Sequence, residues 1–155
     1  MNIFPSHLTA DEKETLFNMP IYVTLLIAGA DNKIDDSEIS TAIELARLSK
    51  TFSRQELTDY YNIASEDFAE KLQSVMEDLP QTNESRAKYL VGELEKLNDI
   101  LPRLDRRFAI DFYESAKALA KKIAKSSGGI LGYWAIGYEE SQLIGLDMID
   151  DPSEY

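Results

Sequence analysis

The stretch Ala28–Ile39, AGADNKIDDSEI, brings together Asp31, Asp35, Asp36 and Glu38 between two apolar runs. Carboxylates this close offer oxygen-only ligation, which suits hard divalent cations such as calcium, magnesium or manganese. An EF-hand is excluded. Counted from Asp31, Lys33 falls on the third loop position, Asp36 stands where the glycine belongs, and Ala42 replaces the closing bidentate glutamate. The same residues also make an ordinary helix start. Asp35 as N-cap with Glu38 three residues on is capping-box spacing, and carboxylates in a first turn are stabilised by the helix dipole without any ion. Asp31 precedes the cap and is not needed for it, so an ion site and a capped turn both stand as readings.

Two further groups could recognise a partner. Arg103, Arg106, Arg107, Lys117, Lys121, Lys122 and Lys125 concentrate basic charge in one region of an acidic chain, and Lys117, Lys121 and Lys125 share a helix face by their fourfold spacing. They either solvate a surface helix or form a docking strip for an acidic partner, including the acidic face of a second copy. Tyr133, Trp134 and Tyr138 lie in a glycine-containing loop, where they either anchor a partner or fold back over the core with Ile130, Leu131 and Ile136.

Composition removes many alternatives. The absence of cysteine excludes disulfides, thiolate zinc sites, iron–sulfur clusters and cysteine nucleophiles. His7 is the single histidine, leaving no material for a Ser-His-Asp triad or a multi-histidine metal site. No phosphate-binding glycine motif occurs. A formal charge of -12 disfavours nonspecific binding to nucleic acid or anionic membranes, which are polyanions themselves. No nucleophile or oxyanion donor set can be named, so a non-enzymatic protein is expected. The opening MNIFPSHLTADEKE has neither a basic n-region nor an apolar h-region, and the run Ile21–Ala28 is too short to span a bilayer. A cytoplasmic protein with no membrane span is the expectation.

These residues must be positioned by helices. Thr9 and Glu12 form a capping box that opens a first helix, which Pro20 is expected to break or kink before a second, buried helix over IYVTLLIA. Ile39, Ala42, Ile43 and Ala46 mark a third helix. Ser53 with Glu56 caps a helix whose Leu57, Tyr60, Tyr61 and Ala64 share a face, and Ser65 is expected to cap the next, with Phe68, Leu72, Val75, Met76 and Leu79 as its stripe. After the loop PQTNES, one longer helix carries Ala87, Leu90, Val91, Leu94, Leu97 and Leu101. Another runs from about Arg103 through Phe108, Phe112, Ala116, Leu119 and Ile123 to Gly128 and Gly129. A short helix in EESQLIGLDMI follows, and the segment from about residue 150 is expected to be loose. No strand alternation is present. The fold class is all-α, a compact bundle of about seven to eight helices forming one domain over residues 1–155.

AGADNKIDDSEISTAIELA resembles the signature of the tellurite-resistance TerB-like domains, a small apolar turn followed by A-D-[GN]-x-[IV]-x-x-x-E at a helix start. The later AKSSGGILGYWAIGYEESQLIGL, Ala124–Leu146, resembles their second motif. The resemblance implies a helical bundle with a pseudo-repeat that brings the two turns together, a divalent cation as ligand, protein partners and no catalytic activity. It also implies a link to stress or metal resistance. Carried over by position, Asp31 and Glu38 are the acidic marks of the first motif, and Glu139 or Glu140 that of the second.

Overall fold

The computed structural model describes residues 4–28, 55–80, 82–127 and 140–154, and among them the regular structure is helical, with no strand. The expected third helix and the Ser53 cap lie outside the described residues. In chain order the helices are α1 (Ala10–Ala28), α2 (Gln55–Ala64), α3 (Phe68–Asp78), α4 (Asn83–Glu95), α5 (Leu97–Ile100), α6 (Arg106–Ser127) and α7 (Glu140–Ile144). Short 3-10 turns follow α5, at Leu101–Arg103, and close the described chain at Pro152–Glu154.

α1 is the axis of the molecule, packing against α6 and α4 most extensively and also against α2, α3 and α5. It begins where the sequence says it should. The Thr9 amide donates to Glu12 Oε1 at 2.9 Å and the Glu12 amide to Thr9 Oγ1 at 3.1 Å, a reciprocal capping box. Ile21 to Ile27 are all buried, as a helix apolar on every side requires.

Of the break or kink expected at Pro20, the break does not occur; α1 continues through it. A proline inside a helix has no N–H for the carbonyl four residues back, here that of Leu16. The Tyr60 hydroxyl, carried on α2, donates to Leu16 O at 2.5 Å and replaces the missing amide. Thr24 Oγ1 donates to Pro20 O at 2.7 Å from the following turn. Tyr60 and Tyr61 are completely enclosed, and burial pushes both phenols well above their ordinary value of 10.0. Ser115 Oγ donates its one proton to Phe112 O at 2.7 Å, so the Tyr61 hydroxyl is the donor in its 2.5 Å bond with Ser115. The rings of Phe4, Phe17, Tyr60, Tyr61, Phe108 and Phe112 form one aromatic cluster joining α1, α2 and α6.

Three further boundaries differ from expectation. Ser65 is no cap: its hydroxyl bonds Asn62 O, and Asp67, in the left-handed region at φ 52°, precedes α3 without a side-chain cap bond. The long helix expected through Leu101 is divided at Lys96 into α4 and α5, although all six residues of its predicted stripe are buried. The segment after residue 150 is docked, not loose. Its Pro152 is buried, and its 3-10 turn packs on α6.

Candidate functional site

The basic region expected of the sequence falls on α6, whose apolar stripe Phe108, Phe112, Ala116, Leu119 and Ile123 is buried against the core. Asp105 precedes the helix and accepts from the Phe108 amide at 3.0 Å, while Arg106 and Arg107 fill a first turn that holds no acidic residue. Cations there oppose the helix dipole and gain from an acceptor outside the helix. Arg106 finds one, donating from Nη2 to Ser153 O at 2.9 Å. Arg103, just before α6, pairs with Glu12 and donates to Asp99 O at 3.0 Å, so its charge ties the start of α1 to α5.

One turn after Tyr113, Lys117 is half-buried with its ammonium 5.1 Å from the centre of that ring, a cation–π contact. The face then continues to Lys121, which is exposed; for Lys125 the helical backbone alone is described. Against the first part of this face lies the segment Asp147–Glu154. Two amide bonds from α5 hold it in place. Asn98 Nδ2 donates to Met148 O at 2.9 Å, and Asn98 Oδ1 accepts from the Asp150 amide at 2.7 Å. Asp151 Oδ1 accepts from the Ser153 amide at 2.9 Å and its hydroxyl at 2.8 Å. Those bonds, with a smaller contribution from the Lys117 charge, hold the Asp151 carboxyl below its usual range. Tyr113 is raised, first by burial and then by the charges of Asp151, Glu114, Asp147 and Glu154.

The turn that delivers this segment is a Schellman motif in which Asp147 N–H bonds Gln142 O and Leu146 N–H bonds Leu143 O. Leu146 occupies the left-handed position at φ 52°, where glycine is usual. Its side chain is completely buried, and that burial offsets the backbone cost.

A groove of about 270 Å³ near the start of α6 is lined by Phe4, Pro5, Glu56, Leu104, Asp105 and Phe108. Its side-chain charges are the two carboxylates of Glu56 and Asp105, and the rest of its wall is apolar.

Of the residues singled out in the sequence, Lys117 and Lys121 are brought onto one face. Asp31, Asp35, Asp36, Glu38, Glu139, Tyr133, Trp134 and Tyr138 lie outside the described residues, and Glu140 opens α7 with its backbone alone described. Among the described residues no group of three His, Asp or Glu side chains is placed to hold a metal ion, and no helix is long and apolar enough to cross a membrane. Sequence reasoning missed Asn98, Asp151 and Ser153. The D-x-S spacing of an Asx turn beside the buried Met148 and Ile149 was the available signal. No protein-family model, curated protein or solved structure matches this chain.

Proposed function

We propose that this chain is a non-enzymatic, cytoplasmic TerB-like protein that works by binding, with a weak divalent-cation site formed by Asp31, Asp35, Asp36 and Glu38. In this reading residues 1–155 form one domain of seven to eight helices, and a pseudo-repeat sets Glu139 and Glu140 beside the first acidic turn. The role is linked to stress or to tellurite and metal resistance. One observation carries the reading. α1 ends at Ala28 with no basic residue in its last turn, and Asp31 follows three positions later in the chain. A helix C-terminus is the negative end of its dipole, and the four carboxylates that follow it outnumber Lys33, the one cation among them, a balance that favours a bound ion. Calcium, magnesium or manganese suits such oxygen donors. The test is thermal unfolding of chelator-treated protein with each ion. Saturable stabilisation by one ion that disappears in Asp31→Asn is the expected result, and no response at millimolar ion would remove the site.

A second reading is an interaction module in which the acidic turn is a helix cap and the partner is protein. It is supported by the acidic segment Asp147–Glu154, which docks on α6 through the Arg106–Ser153 O bond and brings Asp151 within reach of the Lys117 charge. Lys121, Lys125 and the aromatic loop Tyr133, Trp134, Tyr138 would extend the surface. Charge reversal at Lys121 and Lys125 should then abolish partner capture while leaving any ion response intact.

A further inference from the structure

We infer that the segment Asp147–Glu154 is a displaceable strap, occupying in cis a surface of α6 that takes an acidic peptide segment from a partner protein. The inference rests on the interaction-module reading above. Charge complementarity identifies the occupant. The strap, DMIDDPSE, carries four carboxylates and no basic residue, and the face beneath it offers Arg106 and Lys117. Lys117 is preorganised over the Tyr113 ring, so its ammonium needs little reordering to meet a carboxylate.

The two halves of the strap are held differently. Its first half is anchored: Met148 and Ile149 are buried, and Asn98 grips the backbone on both sides of Ile149. The second half buries Pro152 and is otherwise held by polar contacts at the surface, the Arg106–Ser153 bond and the charge of Asp151 near Lys117. One exposed hydrogen bond to a backbone carbonyl and one unbridged charge attraction are a light hold, and the second weakens with salt. Asp151 spends its Oδ1 on Ser153, which shapes the turn and leaves its attraction to Lys117 one of field and not of a direct bridge. The Asn98 clamp therefore sets a boundary beyond which residues 151–154 can lift, at the cost of uncovering Pro152 and the part of α6 beneath it. An incoming acidic peptide gains an advantage the strap lacks, since a longer run reaches Lys117 and the exposed Lys121 together. Displacement competes with a tethered rival at high effective concentration, and removing the rival should tighten binding.

The experiment titrates a labelled decaglutamate peptide, at low ionic strength, into the full chain and into a chain ending at Ile149. Truncation removes Asp150, Asp151 and Glu154 and moves the formal charge from -12 to -9. A full chain carrying Glu66→Gln, Glu70→Gln and Glu77→Gln, all exposed on or beside α3, makes the same charge change away from the strap. The strap predicts binding about tenfold tighter for the truncated chain, a gain of the same sign for full-length Asp151→Lys, little gain for the α3 control, and loss when Lys117→Glu is added to the truncation. Equal binding by full and truncated chains would overturn the strap and leave the docking surface standing. A gain matched by the α3 control would overturn it as bulk charge. Failure of every form to bind would remove both. Should the truncated chain not fold, Asp151→Lys decides, and the absence of a gain there overturns the inference.

Discussion

The two longest helices, α1 and α6, pack on each other yet divide the work of the molecule between them. α1 spends its second half buried on all sides, from Met19 to Ile27, and so has no face left for a partner. What it can do is fix where the chain emerges at Ala28, ahead of the acidic stretch. α6 buries one stripe and leaves Glu114, Ala118, Lys121 and Lys122 exposed. A helix with one committed face can recognise something with the other. The polar chemistry differs accordingly. Around α1 it is internal and repairs a backbone defect at Pro20, whereas on α6 it lies at the surface and holds an acidic segment.

The contrast can be broken most severely where the two helices meet. Phe112→Ala, which empties the centre of the aromatic cluster, should cost about 3–5 kcal/mol in denaturant unfolding. Alkaline pH comes next. The Tyr60 and Tyr61 phenols are raised by burial above the ordinary 10.0, so below that pH they leave stability unchanged. As pH rises past 10.0 the unfolded chain loses protons that the folded chain keeps, and stability should fall by up to about 1.4 kcal/mol per pH unit for each phenol until the folded phenols ionise. A Tyr60→Phe, Tyr61→Phe variant should flatten that slope. At neutral pH Tyr60→Phe alone should cost about 1–3 kcal/mol, because Leu16 O is left buried without a donor. In a Pro20→Ala background, where an amide is restored, the same change should cost less than half as much. Equal costs in the two backgrounds would show that the tyrosine does not stand in for the missing amide. Smallest is Lys121→Glu, expected to change stability by no more than about 0.5 kcal/mol while weakening capture of acidic peptides.

Local chemistry was legible in the sequence and distant repair was not. The Thr9–Glu12 box and the buried stripes of α2, α4, α5 and α6 follow from spacing within a few turns, and each is found where the spacing puts it. Of the break or kink that Pro20 leads one to expect, the break does not occur, because the donor that rescues α1 comes from Tyr60, 44 positions from Leu16. The docked segment was missed for a similar reason. Polar residues such as DDPSE read as loose until Asn98 and Arg106, far back in the chain, supply backbone bonds. For the site, fourfold spacing placed Lys117 and Lys121 on one face, and the first of them lies close enough to the docked acidic segment for its charge to act on Asp151. The acidic turn lies outside the described residues, so the proposed ion site rests on residue type and on the negative end of α1.

The most direct test of the binding account is amide-resolved NMR of the uniformly labelled chain during addition of substoichiometric manganese, beside Asp31→Asn. Paramagnetic broadening falls off steeply with distance and reports where the ion sits. The account predicts early loss of signals from residues 31–38, joined by 139 and 140, with Lys117 and Lys121 unaffected and the effect abolished in Asp31→Asn. Broadening spread over exposed carboxylates such as Glu70 and Glu77, unchanged by the substitution, would contradict it.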